Sequence, residues 1–326
     1  MSLDAQLLAA FREADEGHMT ARDLASRLGV SSATVSRRIH DLRQLGFDIE
    51  HHAQRGYRVV AWPDKLLAED IKLQLGETVI GREVLVYDKT TSTNDVAEKL
   101  GLDGAPEGVV VFAETQTRGR GRMGRPWASP RAKGLWFSVL LRPKLPMRAL
   151  ARLPIAASVA VAHTIRERTG LHAEIKWPND ILIGGRKCAG ILAEMQAELD
   201  ALKFVVLGIG LDVNCDAGDF PPEVREIATS LRIESGRDDA INRSEMAVAL
   251  LRELDLAYTH ARGDFETLRQ EWGRLCSTLG KRVMLQVGPR RLEGVAQALD
   301  ENGALLVRRD DGRTEHIMSG DVVTER

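Results

Sequence analysis

The first 62 residues place their apolar side chains with the period of an α-helix. Residues 20–23, Thr-Ala-Arg-Asp, form a capping box that begins one helix, and Gly29 ends it. Ser31 caps the next helix, whose apolar stripe has i, i+4 and i+7 spacing. This stripe consists of Val35, Ile39 and Leu42, and an earlier helix buries Leu7, Leu8 and Phe11. The pattern predicts three helices in this part of the chain.

The second and third predicted helices, joined by a turn with glycine, have the arrangement of a helix-turn-helix. Residues 47–50 and 57–60 follow as short predicted strands, with residues 51–56 as the tip between them, so the motif is of the winged type. Small polar and basic residues face outward on the third helix and at the wing tip. We predict that four of them contact DNA: Ser32, Ser36, Arg37 and Arg55. The alternative is a packing module with an ordinary solvated face.

The middle of the chain, from about residue 66 to residue 272, alternates apolar runs with helical stretches. The predicted strands are residues 84–87, 109–112, 135–141 and 204–208, and the predicted helices are residues 148–169 and 243–261. This alternation predicts an α+β or α/β domain. Gly184 and Gly185 predict a two-residue hairpin turn, which puts Lys187 at the start of the return strand.

From about residue 275 the pattern changes to short strands. Val283, Leu285 and Val287 occupy alternate positions, as in a strand. Turns follow at residues 288–289, 302–303 and 311–312. A stretch of roughly fifty residues of this kind favours a small β-barrel. The sequence therefore predicts three domains, with the ranges 1–64, 65–273 and 274–326.

Composition limits the classes of protein and the kinds of site. A chain of 326 residues is long enough for two or three domains. The formal net charge of -2 gives no overall nucleic-acid signature, so any basic surface must be local. Cys188, Cys215 and Cys276 lie far apart, which argues against a disulfide framework or a structural zinc site. Neither a membrane span nor a signal peptide is evident, so we expect a cytoplasmic protein without a membrane partner.

Residues 119–127, Gly-Arg-Gly-Arg-Met-Gly-Arg-Pro-Trp, place three arginines on a backbone too rich in glycine for a helix or strand interior. We name this segment the glycine-arginine loop. Arginine presents a fork of donors that matches carboxylate and phosphate oxygens, so the loop predicts binding of a small anion. The spacing also fits the G-x-G-x-x-G of dinucleotide sites, but Pro126 is poor material for the helix that such a site requires. A solvated basic loop and a surface that binds RNA are two further interpretations of the same residues.

Two further polar clusters support an anion-binding site. Residues 176–180, Lys-Trp-Pro-Asn-Asp, precede the hairpin and residues 186–192 follow it, so Lys187 is expected near Asn179. Residues 91–95, Thr-Ser-Thr-Asn-Asp, offer hydroxyl and amide groups at a predicted helix start. Each cluster alone is weak evidence, because such residues are most often a helix cap or a solvated lysine. Together, the clusters indicate an anion-binding site more specifically than any one of them does.

In order and spacing, these clusters resemble those of the biotin protein ligases. The matching residues are Ser92, Thr93, Asn94, Gln116, the glycine-arginine loop, residues 176–180, Arg186, Lys187 and residues 189–192. With its winged helix-turn-helix and its small barrel, the whole chain resembles the bifunctional biotin ligases that also repress the biotin operon. The resemblance implies an α+β multidomain fold: a winged helix-turn-helix, a mixed-sheet α/β catalytic domain of the biotin/lipoate ligase type, and an SH3-like C-terminal barrel.

The resemblance implies a two-step reaction. The biotin carboxylate attacks the α-phosphate of ATP, which gives biotinyl-adenylate and pyrophosphate, and biotin then passes to a lysine of the biotin carboxyl carrier protein. Mg²⁺ accompanies the nucleotide, and no residue is assigned as its ligand. A carboxylate is already ionised and needs no general base, so catalysis must relieve the repulsion between anions. This catalytic role is implied for Lys187 and Arg122.

The resemblance also divides the binding residues between the two substrates. Contacts with biotin are implied for Ser92, Thr93, Asn94, Gln116, Arg120, Gly121, Arg122 and Lys187. Contacts with ATP or the adenylate are implied for Arg122, Arg125, Trp127, Asn179 and Lys187. We expect the glycine-arginine loop to be a lid that orders when ligand binds. The sequence departs from the family pattern at Asp212, where the family usually has asparagine. A carboxylate there would repel a triphosphate unless it contacted the metal ion.

Regulation follows from the same resemblance. A repressor of this type is expected to form a homodimer on operator DNA, with biotinyl-adenylate as the co-repressor that favours the dimer. Two other functions stay open: a lipoate or octanoate protein ligase, which the middle fold would also accommodate, and a ligand-sensing transcription factor without catalysis. The arginines of the loop and residues 176–180 favour biotin.

Overall fold

The computed structural model describes residues 2–14, 17–198 and 201–323. The chain forms two compact units, Met1–Gly76 and Glu77–Arg326. The finer division into three domains, with boundaries after residues 64 and 273, stays a prediction.

The first unit contains four helices and a β-hairpin within the described residues. Its elements are α1 Leu3–Glu13, α2 Ala21–Leu28, α3 Ser32–Gln44, β1 Asp48–His52, β2 Gly56–Ala61 and α4 Ala68–Leu75. Thr20 and Asp23 form the predicted capping box, Gly29 ends α2 in the left-handed conformation, and Ser31 caps α3. The predicted apolar stripes are buried in one core, and β1 pairs antiparallel with β2. The predicted winged helix-turn-helix is thereby confirmed.

The second unit is built on a seven-stranded mixed sheet. The elements that form and flank the sheet are β3 Glu83–Tyr87, α5 Thr93–Leu102, β4 Val109–Ala113, β5 Gly134–Leu141, α6 Arg152–Thr169, β6 Ala173–Lys176, β7 Asp180–Ile183, β8 Arg186–Glu198 and β9 Ala201–Asp212. Their order in the sheet is β3-β4-β5-β9-β8-β7-β6. The β3–β4 pair is parallel, and the other neighbouring pairs are antiparallel. The predicted mixed-sheet α/β fold is thus confirmed.

Three helices and a second sheet complete this unit. They are α7 Leu231–Ser235, α8 Arg243–Arg262, α9 Phe265–Leu275, β10 Arg282–Val287, β11 Arg290–Leu299, β12 Leu305–Arg308, β13 Thr314–Ile317 and β14 Asp321–Val323. Helices α6, α8 and α9 pack against one another. Strands β10 to β14 form one antiparallel sheet, which we name the C-terminal sheet. None of the helices in the described part of the chain is long and apolar enough to cross a membrane.

Two local features position the polar residues of the second unit. Gly184 and Gly185 have φ values of 57° and 79°, so β7 and β8 are joined by the predicted two-residue turn and Lys187 lies at the start of β8. Helix α5 packs on β4, β5 and β9. A Cβ atom added to Gly101 of α5 would lie 2.8 Å from the ring of Phe204, so the absence of a side chain there permits this close approach. The last turn of α5 is thereby held close against the sheet.

Candidate functional site

The glycine-arginine loop folds back on itself. The backbone N–H of Trp127 donates to the carbonyl of Gly119 at 2.9 Å, and that of Gly121 donates to the carbonyl of Arg125 at 2.8 Å. The residues between them, Arg122–Gly124, form one short 3₁₀ turn. These contacts close the loop, and its first arginine has different partners from the other two.

Arg120 is held by two carboxylates. Its Nη1 donates to Asp95 Oδ1 at 2.5 Å, and its Nε and Nη2 donate to the two oxygens of Glu194 at 3.2 and 2.9 Å. The hydrogen bonds with Glu194 are the main reason that the pKa of Arg120 is raised, although burial opposes them. In this conformation the guanidinium fastens the first half of the loop to α5 and β8.

Arg122 and Arg125 instead contact the last strand of the C-terminal sheet and the residue before it. The Nη2 of Arg122 donates to the carbonyl of Gly320 at 3.1 Å and lies 3.7 Å from Asp321, while its Nη1 donates to Asn179 Oδ1 at 3.2 Å. Arg125 pairs with the other oxygen of Asp321 at 2.5 Å. Burial lowers the pKa of Arg122, but a guanidinium remains charged. Arg125 is 67% exposed, so the second half of the loop is open to solvent.

Lys187 lies where the hairpin and the loop meet. Its Nζ pairs with Asp180 Oδ1 at 2.5 Å and lies 5.2 Å from the centre of the Trp127 ring. Asn179, the neighbour of Asp180 in sequence, accepts a hydrogen bond from Arg122. Lys187 is predicted to lie near Asn179, and it pairs with the adjacent residue Asp180. Asp180 contacts Lys187 and Asn179 contacts Arg122, so these two neighbours link the two residues predicted to be catalytic.

A buried polar network surrounds the first turn of α5. Gln116 Oε1 accepts hydrogen bonds from the backbone N–H and the hydroxyl of Thr93, at 2.8 and 3.2 Å. Asn94 Oδ1 accepts from the hydroxyl of Ser138 at 2.5 Å, and Asn94 Nδ2 donates to Glu194 at 2.6 Å. Three predicted biotin residues are each at most 4% exposed: Ser92, Thr93 and Asn94. With Gln116, they form one continuous polar region.

Three glycines of β8 and β9 make room for these side chains. A Cβ atom added to Gly208 would overlap the side-chain oxygen of Asn94. A Cβ added to Gly210 would lie 2.7 Å from the Trp127 ring, and one added to Gly190 would lie 3.0 Å from that ring. Gly190 and Gly210 are partners in the β8–β9 ladder, and Gly208 shares a face with Gly210 because side chains alternate along a strand. We name these three residues the glycine floor.

Asp212 ends β9, two residues beyond Gly210, and is 5% exposed. Burial raises its pKa well above the usual range, although a 3.5 Å hydrogen bond from the Cys215 thiol and the charge of Lys187 act in the opposite direction. Because burial favours the uncharged form of this carboxyl, it repels a triphosphate less than an exposed aspartate does, and the departure from the family pattern is compatible with a nearby nucleotide. Within residues 2–14, 17–198 and 201–323, no three His, Cys, Asp or Glu side chains come together as candidate ligands for a metal ion.

The four predicted DNA contacts lie on the surface of the first unit. Ser32, Ser36 and Arg37 are exposed on α3, and Arg55 is exposed between β1 and β2. The hydroxyls of Ser36 and Tyr57 lie 3.4 Å apart, so α3 touches β2 at this point. Helix and wing thus present small polar and basic groups to solvent.

Sequence reasoning missed two of the four acidic partners. Asp95 and Asp180 belong to recognised clusters, but Glu194 and Asp321 lie 74 and 196 residues from the arginines that they bind. A carboxylate in a strand is usually an ordinary solvated residue. The available signal was indirect, since arginines placed on one closed loop require counter-charges from elsewhere in the chain.

Three family profiles match successive parts of the chain. A helix-turn-helix (HTH) domain matches residues 5–58, the biotin/lipoate A/B protein ligase family matches residues 86–212, and the biotin protein ligase C-terminal domain matches residues 278–324. These matches follow the order of the winged helix-turn-helix, the seven-stranded sheet and the C-terminal sheet.

Similar proteins cover most of the chain. The bifunctional ligase/repressor BirA of Bacillus subtilis is 35% identical over 98% of this chain and 98% of its own length. The biotin–[acetyl-CoA-carboxylase] ligase of Mycobacterium tuberculosis is 36% identical over 74% of this chain and 89% of its own. Among solved structures, the biotin protein ligase from Aquifex aeolicus in complex with biotin and ATP is 28% identical, with a TM-score of 0.64 over 74% of this chain and 98% of its own.

Proposed function

Since this chain belongs to the family of bifunctional biotin protein ligases and repressors, we propose that it forms biotinyl-adenylate from biotin and ATP and transfers the biotin to a carrier protein. The acceptor is a lysine of the biotin carboxyl carrier protein of acetyl-CoA carboxylase. The observation that carries this proposal is the meeting of Lys187, Arg122 and Asn179 beside the polar network of α5. One end of this region holds the cationic groups of Lys187 and Arg122 and the other holds neutral polar groups, as the two ends of a biotin–nucleotide conjugate require.

In the first step, a biotin carboxylate oxygen forms a bond to the α-phosphorus of ATP. The bond from that phosphorus to the bridging oxygen breaks, and pyrophosphate leaves with the electron pair, so no proton has to move. Lys187 and Arg122 stabilise the negative charge at the reacting centre, together with the Mg²⁺ that enters with ATP as part of the substrate. Arg125, Trp127 and Asn179 contact the nucleotide portion.

The neutral region suits the head group of biotin. Ser92, Thr93, Asn94 and Gln116 supply donors and acceptors that pair with the ureido N–H and C=O groups, while the backbone from Arg120 to Gly121 covers the ligand. The dithiolane of lipoate and the hydrocarbon end of octanoate have no matching groups. A buried polar site rejects ligands that leave its groups unpaired, so biotin is the preferred acid.

In the second step, the lysine amine of the acceptor attacks the carbonyl carbon of the mixed anhydride. The bond from this carbon to the phosphate oxygen breaks, AMP leaves, and the amine nitrogen loses a proton to solvent as the amide forms. The anhydride must survive until the acceptor arrives, so the glycine-arginine loop serves as a lid that excludes water.

The decisive experiment measures pyrophosphate release from ATP with the purified full-length chain. We expect release that depends on biotin, with lipoate and octanoate giving at least about tenfold less. Release with lipoate equal to that with biotin would assign the chain to lipoate ligation. Biotin binding without any pyrophosphate release would indicate a ligand-sensing transcription factor without catalysis.

The winged helix-turn-helix supports the second activity, repression of the biotin operon. Ser32, Ser36, Arg37 and Arg55 contact operator DNA, and biotinyl-adenylate acts as a co-repressor that favours a homodimer. We expect the affinity for operator DNA to rise when biotin and ATP are added together. If the affinity for operator DNA does not change when both are added, the co-repressor role is contradicted and the ligase assignment is unaffected.

A further inference from the structure

Glu194 is shared by two functional parts of the second unit. One of its oxygens accepts from Asn94 Nδ2 at 2.6 Å and from Arg120 Nη2 at 2.9 Å, and the other accepts from Arg120 Nε at 3.2 Å. Asn94 belongs to the polar network of α5, whereas Arg120 belongs to the glycine-arginine loop. A single carboxylate of β8 therefore joins the two.

The contact with Glu194 decides how the Asn94 amide is oriented. The amide oxygen accepts from Ser138, and the amide nitrogen donates to Glu194. If the amide were reversed, its oxygen would face a carboxylate, which is repulsive. The side chain also cannot move toward the sheet without contacting Gly208, where even an added methyl group would overlap it. Orientation and position are thus both determined.

The contact with Arg120 fixes the first half of the loop. Arg120 makes paired hydrogen bonds to Glu194 and one to Asp95, and charge-assisted bonds of this forked kind are both strong and directional. The other oxygen of Asp95 accepts from the Thr91 hydroxyl at 3.1 Å, close by in sequence. Asp95 therefore ties Arg120 to the start of α5, whereas Glu194 ties it to the Asn94 amide.

We propose that Glu194 is a positioning residue that couples the glycine-arginine loop to the biotin pocket, a role that rests on the proposed function. Through Asn94 it presents the amide to the ligand in one orientation. Through Arg120 it holds the start of the loop beside that amide. Glu194 itself contacts neither substrate, and its effect falls on biotin, because the nucleotide residues Arg122 and Arg125 have other partners.

The test is the variant Glu194→Gln in the full-length chain, with KM measured separately for biotin and for ATP. The amide keeps the size of the side chain but removes its charge. It also places an N–H₂ donor where the neighbouring groups of Asn94 and Arg120 are already donors. We expect the KM for biotin to rise about tenfold, since hydrogen bonds to charged groups contribute more than neutral ones. The KM for ATP stays within about twofold of the unsubstituted chain.

Two matched variants separate this role from a general structural one. Glu198→Gln changes the same residue type on the same strand, where Glu198 pairs with Lys203, and is expected to leave both KM values unchanged. Glu194→Asp keeps the charge on a shorter side chain. We expect it to raise the KM for biotin less than Glu194→Gln does. Thermal unfolding of all variants checks that each folds, and Glu194→Asp carries the test should Glu194→Gln not fold.

The outcomes distinguish this proposal from the proposed function. If the unsubstituted chain releases no biotin-dependent pyrophosphate, the proposed function fails. If it does, but Glu194→Gln leaves the KM for biotin within about twofold, only the positioning role fails. Equal rises of both KM values, or no recovery in Glu194→Asp, would also overturn it, because a selective charge-dependent effect is required.

Discussion

The glycine floor and the glycine-arginine loop use the same residue for different physical reasons. In the floor, Gly208 and Gly210 lie in a regular strand and their lack of a side chain makes room for Asn94 and Trp127. In the loop, an added Cβ on Gly119 would lie 2.5 Å from the carbonyl oxygen of Trp127, but one on Gly121 would meet nothing closer than 3.8 Å. Beyond Gly119, the loop depends on the partners of its arginines. The floor is therefore sensitive to volume, and the loop from Gly121 onward is sensitive to charge.

The largest effect is expected at Lys187, which lies between these two regions. Lys187→Ala removes the ammonium group beside Asp180 but fills no space, so the fold should persist. We expect biotin-dependent pyrophosphate release to fall by a factor of about one hundred or more. Lys203→Ala, a lysine of β9 paired with Glu198, is the control and should retain full activity. Release above about a tenth of normal from Lys187→Ala would contradict its catalytic role.

The next effect tests volume directly. Gly208→Ala forces the Asn94 side chain away from Ser138 and Glu194, and overpacking of this kind costs about 1 to 3 kcal/mol of the free energy of unfolding. Gly121→Ala is the matched substitution in the loop, and we expect the unfolding free energy to change by no more than about 0.5 kcal/mol. Denaturant unfolding of both variants measures the difference. Equal destabilisation would remove the distinction between floor and loop.

A pH experiment examines the edge of the floor at Asp212. Burial raises the pKa of this carboxyl, so its neutral form is favoured in the folded state and stability is lost as pH rises through the folded-state pKa. Asp212→Asn should therefore stabilise the chain, relative to the unsubstituted protein, increasingly as pH rises above the ordinary range of an aspartate carboxyl. Urea unfolding at pH 4, 6 and 8 gives the trend.

Asp216→Asn is a control of opposite sign for this experiment. The hydrogen bond from Lys133 lowers the pKa of Asp216, so this carboxylate contributes stability that is lost as pH falls. The asparagine variant should be less stable than the unsubstituted chain at neutral pH, and the gap should close in acid. If the difference in unfolding free energy between Asp212→Asn and the unsubstituted chain does not change with pH, the raised pKa of Asp212 is contradicted.

The smallest effect is expected in the second half of the loop. Asp321→Asn releases Arg122 and Arg125 from a carboxylate that competes with phosphate oxygens for the same guanidinium groups. Because Arg125 is largely exposed, we expect only a two- to threefold fall in the KM for ATP, with the KM for biotin unchanged. Asp310→Asn, at a carboxylate paired with Arg282, is the control. A rise in the KM for ATP would show that Asp321 aligns the arginines instead of competing for them.

Much of the local structure could be predicted from the sequence, because the signals were themselves local. The capping box at Thr20, the two-glycine turn before Lys187 and the helix start at Ser92 each depend on a few consecutive residues. The polar clusters were found for the same reason. Family resemblance then indicated that they belong to one site.

Features that depend on distant residues could not be predicted in this way. The predicted strand at residues 204–208 continues to Asp212, although glycine is a weak strand former, because β5 and β8 pair with it on both sides. Helix α6 begins at Arg152 and not at residue 148, because residues 147–149 form a separate 3₁₀ turn. The partners Glu194 and Asp321 likewise come from parts of the chain that meet the loop only on folding.

The pairing of each loop arginine and of Lys187 with a carboxylate has a kinetic consequence. These four cations are matched by four acids, which are Asp95, Asp180, Glu194 and Asp321. At distances beyond a Debye length, about 10 Å in 0.1 M salt, the charges largely cancel. The site therefore exerts little long-range attraction on the anionic nucleotide that carries Mg²⁺, and capture begins only when the phosphates reach a guanidinium and exchange places with its acid. The association rate of ATP should accordingly vary little with ionic strength.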